Sequence, residues 1–254
     1  MSETGEIDER LFLRSVARAF AVLEVWSAEP RALSLGEIAK AAGIDKSAAQ
    51  RICQTLVGLG YLERAPGGLV PGKRALDRAF DYLRITPLIE RAAPVLATLR
   101  ETCGERVDLS LFDGTTILYA LRLQSRREAF FATLPGRRLP AFCTSGGRAC
   151  MALMSDAAVD RLLARSDLVA RTRKTLTDPA AVLEKVREAR EQGYACVMEE
   201  TLLGEVVVAA PVTDSAGRPV AAVHIAGTLA EWSEAEFRRR FAPHAIAAAD
   251  ALSG

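Results

Sequence analysis

The 254-residue sequence predicts an α+β fold class in two modules. Two short, capped helical patterns separated by a glycine lie in the first third, followed by a Pro-Gly-Gly turn between strand-like runs. Beyond Pro87, hairpin strands gather among longer helical patterns, which predicts a largely antiparallel sheet with helices around it. Ile85-Thr86-Pro87 breaks the pattern between the two regions, and the length is ample for two packed cores.

The lead MSETGEIDER is polar and acidic, lacks an apolar stretch and does not read as a signal peptide. Leu13, Val16, Phe20, Leu23 and Trp26 then recur at three- or four-residue steps and describe a first helix, closed by Pro30. Ser34 and Glu37 form an S-x-x-E capping box, so a second helix begins at Leu35; Ile38, Ala41 and Ala42 give its apolar face and Gly43 ends it. Asp45 is a good N-cap for a third helix reaching about Leu59. Ala48, Ile52, Leu56 and Leu59 fall on one side of it, while Lys46, Ser47, Gln50, Arg51 and Gln54 fall largely elsewhere. This is the pattern of a DNA-binding helix-turn-helix, the alternative being an ordinary αα-corner. Lys46, Ser47 and Gln50 are expected at base edges, with Arg51 serving phosphates.

Gly60 caps the third helix, and Tyr61–Arg64 and Leu69-Val70 flank Ala65-Pro66-Gly67-Gly68 as a small hairpin, where a winged helix carries its wing. Arg64 and Lys73 are the cations a wing would bring to the DNA backbone. From Lys73 to Arg84 a single stripe of Leu76, Ala79, Phe80 and Leu83 predicts a helix that packs on a partner helix. The expectation is a dimer on a roughly palindromic double-stranded operator, because one winged helix reads too few bases to select a genomic site. From Arg10 to Arg84 there are 12 Lys+Arg against 7 Asp+Glu, a modest basic bias within a chain of net charge +1.

In the second module, a helix from Leu88 to Thr102 ends before Gly104. Val107–Phe112 and Thr116–Arg122 are strands joined at Asp113-Gly114, and Phe130–Leu134 is expected as another. Helices follow over Thr144–Met154 and Pro179–Gln192, then strands over Tyr194–Met198, Glu205–Val212 and Val220–Ala226. Ser233 and Glu236 form a second capping box that opens a last helix.

Half the residues are hydrophobic and a quarter charged, an ordinary soluble composition. Five scattered cysteines without a C-x-x-C argue for a reducing cytoplasm and buried thiols. His224 and His244 stand apart from any ligand cluster, so neither a metal nor a cofactor is expected. No apolar run reaches membrane-spanning length.

The order of parts resembles the IclR family of bacterial transcription regulators. The resemblance rests on RAFAVLEVWS, LSLGEIAKAAGIDKSAAQRICQTLVGLGYL, CTSGGRACMALM, EQGYACVMEE and VAAPVTDSAGRPVAAVHIAG, and runs from about Leu13 to about Leu252. ITPLIERAAPVL, GRRLPAFCTSGGRA and RRRFAPHAIAAAD are similar to the branch that regulates aromatic-acid catabolism, the Pca/Pob-type regulators. The resemblance implies a winged helix-turn-helix over 1–72, a linker helix over 73–86 and a GAF-like effector domain over 87–254. It also implies a homodimer or tetramer and a small-molecule effector held by two groups of residues. The first is Thr144, Ser145, Gly146 and Gly147; the second is Val197, Glu205 and Val207. Val197 and Val207 depart from the glyoxylate- and pyruvate-responsive members, which carry an acid and a cysteine there. The expected effector is therefore a small aromatic or dicarboxylic acid. Glu205 stands against that expectation, since a carboxylate lining the cavity repels an anion unless it is protonated or paired.

The Walker pattern is absent around Gly146-Gly147, so nucleotide hydrolysis is rejected. Backbone N–H groups at Ser145–Gly147 can receive an anion at a helix start, or the glycines can serve close packing. Arg122, Arg126, Arg127, Arg137 and Arg138 are candidate carboxylate partners, although such arginines are more often solvated. Glu199-Glu200, read as neighbours on a strand, point to opposite faces and make a poor acid–base pair, one of them serving structure. Cys143 and Cys150 flank a helix start, which leaves a redox sensor or enzyme as the competing function; with two histidines no nucleophile–base–acid set can be assembled, and the chain is not read as an enzyme.

Overall fold

A computed structural model of the chain describes residues 11–125 and 135–254. The expected strand Phe130–Leu134 and the arginines Arg126 and Arg127 lie outside the described residues. The chain divides into two compact units between Ile85 and Thr86.

The N-terminal unit holds α1 (Arg14–Glu24), a 3-10 turn at Val25–Ser27, α2 (Leu35–Ala41), α3 (Lys46–Gly58), the hairpin β1 (Leu62–Ala65) and β2 (Gly68–Pro71), and α4 (Arg74–Ile85). Ser34 and Glu37 close both halves of the capping box on α2, and Gly43 takes the left-handed conformation at φ +64. Val22, Val25, Leu33, Ile38, Cys53, Leu56, Leu62 and Leu69 form the core of this unit. Leu33 also exchanges two backbone hydrogen bonds with Leu69, at 3.0 and 2.8 Å, fastening the segment before α2 to the hairpin.

Two inward-facing expectations change here. Leu59 is 49% exposed, and Cys53 takes the interior position on α3. Leu13, Val16 and Phe20 face outward, as do Leu76, Phe80 and Ile85, and α4 has no buried residue. The periodicity reported a real apolar stripe on each helix; Leu23 and Trp26 of the α1 stripe pack against the core, while the outward members of both stripes stay exposed among the described residues.

The C-terminal unit is α5 (Pro87–Cys103), β3 (Arg106–Asp113), β4 (Thr116–Leu123), β5 (Arg138–Pro140), α6 (Ser145–Ala152), α7 (Asp156–Ala164), α8 (Pro179–Gln192), β6 (Ala195–Met198), β7 (Glu205–Thr213), β8 (Pro219–Thr228) and α9 (Glu234–Leu252). The six strands run in the order β5-β4-β3-β8-β7-β6 with every pairing antiparallel. Helices α5 and α9 cover one face, while α6, with α8 behind it, covers the other. Ala209 and Ala222 are small enough to let α6 and its Cys150 and Met151 lie close against the sheet. Short β5 and helix α7 have no counterpart in the sequence expectations. Strand β6 stops at Met198, and Glu199 beyond it adopts φ +56, so Glu199 and Glu200 are not strand neighbours as expected.

The fold also contains a bulge that matters for the site. Asp108 pairs with Arg122, but Ser110 pairs with Tyr119, which leaves Ala120 without an opposite residue on β3.

Candidate functional site

In the N-terminal unit, α3 is held by its buried side and presents the other. Asp45 accepts the Ala48 N–H at 2.8 Å, and that bond lowers the carboxyl pKa from its ordinary value. Ala48, Ala49, Cys53 and Leu56 face inward, leaving Lys46, Ser47, Gln50 and Arg51 exposed on one flank. Arg64, on β1, donates through Nη2 to Gln54 Oε1 at 3.1 Å, which places the hairpin cation beside the exposed flank of α3. Arg31 donates to Glu37 at 2.8 Å; that bond, with those from Ser34, holds the Glu37 carboxyl down at about 2. The capping carboxylate thus stays charged at neutral pH and continues to fix the start of α2.

In the C-terminal unit, the sheet face under α6 carries polar residues among apolar ones. Arg106, Asp108 and Ser110 alternate along β3 on that face; their β8 partners are Ala226, His224 and Ala222. Val207 and Val197 continue the row from Ala226, and Glu205 stands on the same face of β7. Asp108 accepts from Arg106 Nε at 3.0 Å and from Arg122 through Nε at 3.2 Å and Nη2 at 3.1 Å. Arg106 Nη2 also donates to Glu205 Oε1 at 2.7 Å. Glu205 is therefore paired, which removes the objection that an unmatched carboxylate lines this face. The Arg122 guanidinium lies 3.9 Å over the Tyr119 ring, a stack that the bulge at Ala120 makes possible.

Helix α6 meets this face at its N-terminus. His224 contacts Ser110 Oγ at 2.7 Å through Nε2 and Ser145 Oγ at 3.3 Å through Nδ1. Complete burial, with the positive charges of Arg122 and Arg106 adding to it, lowers the imidazole pKa to about 3, so His224 is neutral. A Cβ on Gly146 would lie 2.4 Å from His224 Cε1, and one on Gly147 2.1 Å from the Ala141 carbonyl oxygen. Both glycines are thus required by close approach.

Thr144, Ser145, Gly146, Gly147, Val197, Glu205 and Val207 all belong to this region, but one expectation about them changes. The Gly147 N–H donates to Thr144 Oγ1 at 3.2 Å, so the three donors at the start of α6 are not all free. Arg148 is turned away from the sheet face. Its Nε donates to Phe142 O, and its two Nη atoms meet the Glu200 carboxylate at 2.6 and 2.8 Å. Arg138 pairs with Asp113 at the surface, and Arg137 is exposed. Arg122 is the reverse of a solvated arginine, with 4% of its side chain exposed. Burial pushes the Cys143 thiol up to about 11 and raises Cys150 further, the opposite of an activated thiolate.

Arg106, Asp108, Ser110, Tyr119 and His224 escaped sequence reasoning as site residues. Asp108 and Ser110 did leave a signal: two polar side chains at alternate positions of VDLSLF place polarity on one face of an otherwise apolar strand. Among the described residues, no group of three or more His, Cys, Asp or Glu could hold a metal ion. No helix among them is long and apolar enough to cross a membrane.

Comparison with known proteins gives a consistent picture. Residues 15–66 match the IclR helix-turn-helix domain, and residues 80–254 match the bacterial transcriptional regulator IclR C-terminal domain. The Pca regulon regulatory protein of Pseudomonas putida is 33% identical over 248 residues, covering 96% of this chain and 84% of the relative. A crystal structure of a transcriptional regulator from Rhodococcus sp. RHA1 superposes with a TM-score of 0.81 at 29% identity, over 95% of this chain and 97% of that one. An IclR homolog from Microbacterium hydrocarbonoxydans, crystallised with 4-hydroxybenzoate, shares the fold at 22% identity and a TM-score of 0.77, over 94% of this chain and 97% of that one. With both of its units matched to the domains of one group of DNA-binding proteins, this chain belongs to the IclR family of bacterial transcriptional regulators.

Proposed function

We propose that the chain works in the cytoplasm as a homodimer or tetramer that reads an operator through α3 and is switched by a small aromatic or dicarboxylic acid in its C-terminal unit. The observation that carries the DNA half is the exposed flank of Lys46, Ser47, Gln50 and Arg51, backed by a buried core and joined at its side by Arg64. In this reading Lys46, Ser47 and Gln50 meet base edges, and Arg51 and Arg64 meet phosphates. Residues 1–72 read DNA, 73–86 link, and 87–254 bind effector.

The outward stripes of α1 and α4 support self-association. Leu76 and Phe80 are 73% and 61% exposed, a large apolar surface to leave in water, and a second copy would cover it. The ligand exerts its effect by binding the DNA-bound and DNA-free arrangements unequally, since equal affinity shifts no equilibrium. Thr144–Gly147, Val197, Glu205 and Val207 are proposed to frame the ligand. A redox role for Cys143 or Cys150 is disfavoured by the raised thiol pKa values. The test is a gel shift on the DNA upstream of the chain's own reading frame, with and without protocatechuate, 4-hydroxybenzoate and β-ketoadipate. A retarded band altered by one of the acids is expected; no specific band refutes the DNA reading, and a specific band insensitive to all three refutes the effector class.

A further inference from the structure

Two buried polar atoms on one strand end lack partners among the described residues: Arg122 Nη1 and Gln124 Oε1. The Arg122 side chain is 4% exposed, and its Nε and Nη2 are committed to Asp108, so Nη1 is the part of the guanidinium left over. A buried charged donor without an acceptor costs more than an ordinary missing bond, and an acceptor delivered by a ligand recovers that cost. Gln124 follows Arg122 by two positions just past the end of β4, which places the two on the same side of the chain. One atom calls for an oxygen acceptor and the other for a hydrogen-bond donor.

We infer that Arg122 and Gln124 hold a small hydroxylated carboxylic acid, Arg122 Nη1 donating to the carboxylate and Gln124 Oε1 accepting from the hydroxyl. The inference rests on the reading of the C-terminal unit as effector-binding and moves the anion anchor from the start of α6 to β4. The α6 start is the weaker anchor because Thr144 already caps it and Gly146 is pressed against His224. Asp108 and Glu205 do not repel such a ligand decisively. Each is paired with an arginine, and an oxygen at Nη1 is nearer to the Arg122 charge than to either acid behind it. The Tyr119 ring under the guanidinium and the bidentate Asp108 contact hold Arg122 in place before the ligand arrives, so little side-chain freedom remains to be lost on binding. Two positions along a strand span about 7 Å, which suits an acid and a hydroxyl at opposite ends of a six-membered ring.

Calorimetry of the full chain against benzoate, 4-hydroxybenzoate and 4-hydroxybenzamide tests this. The wild type is expected to bind 4-hydroxybenzoate at least tenfold more tightly than either of the others. Arg122→Lys should weaken both acids at least tenfold. Gln124→Leu should bring 4-hydroxybenzoate down to the benzoate level and leave benzoate unchanged. Gln124→Leu keeps the ion pairs intact and so decides the matter even if circular dichroism shows Arg122→Lys to be unfolded. If the wild type binds 4-hydroxybenzoate and the folded variants bind it within twofold as well, the inference is overturned while the effector reading stands. If the wild type binds none of the three probes, the inference is overturned; a DNA shift produced by β-ketoadipate would then keep the effector reading, and no shift would remove both.

Discussion

Arg148 and Glu200, 52 positions apart in sequence, meet in a two-pronged ion pair with Nη1–Oε1 at 2.6 Å and Nη2–Oε2 at 2.8 Å. Arg148 is 1% exposed and Glu200 6%, and Glu200 Oε2 also receives the Leu176 N–H at 3.0 Å. The pair ties helix α6 to the segment after β6 and to the approach to α8. Arg148→Met should cost on the order of 3–5 kcal/mol, because it strands a buried carboxylate. The double variant Arg148→Met/Glu200→Leu should recover much of that loss. Urea unfolding followed by Trp232 fluorescence in a Trp26→Phe background measures both; a single variant as stable as its parent would show the pair to be incidental.

On DNA, Gln50→Ala is expected to cost about 1–3 kcal/mol at the specific site and to relax sequence preference at its base pair. Arg51→Ala should instead weaken specific and non-specific DNA alike and reduce the salt slope by about 1. Binding isotherms over a salt series separate the two effects. A Ser47→Ala/Gln50→Ala protein with unchanged affinity and preference would remove α3 from the base-reading role.

Leu76→Asp with Phe80→Asp should lower DNA affinity while leaving every residue of α3 in place. The charges would be placed on the stripe proposed to face a second copy, where burying them unpaired is costly. Sedimentation velocity should show the wild type as a dimer or larger and the variant shifted towards monomer at micromolar concentration. A wild-type monomer would sink the idea.

His224 makes stability depend on acidity. Its folded pKa is about 3, below the ordinary 6.5, so protonation favours the unfolded chain. The contribution is complete above about pH 6.5 and is lost as pH falls towards 3, at up to about 1.4 kcal/mol per unit. Denaturant midpoints between pH 7 and pH 4 should fall more steeply for the wild type than for His224→Asn. Parallel slopes would mean that another group carries the dependence.

Much of the fold was legible because capping and turn chemistry are local. Ser34, Asp45, Gly104, Pro179, Gly193 and Ser233 each marked a helix end within a residue or two. Helix α7 was missed although its signals were present: Ser155 caps it, accepting the Ala158 N–H, and Val159, Leu162 and Leu163 form a buried face at helical spacing over little more than two turns. The α3 flank was readable from helical spacing alone. The polar cluster beneath α6 was not: Arg106, Glu205 and His224 come together only through strand order, which no local pattern encodes. The burial of Arg122 was equally invisible, since an isolated arginine in sequence carries no sign of the aspartate that will face it.

The unpaired Ala120 bears on how the length of β4 can vary. Tyr119 and Arg122 are three positions apart, an odd spacing that in a regular strand would send them to opposite sides; the bulge brings them to one side. Deleting Ala120 would leave Tyr119 and Arg122 two positions apart and still on one face of an uninterrupted ladder, so the register tolerates the loss of that residue. A single-codon deletion there would straighten the strand while keeping Tyr119 and Arg122 side by side, without altering any residue that remains. The irregularity is thus a place where the length of this strand can vary by one residue while the side-chain pattern on its face is kept.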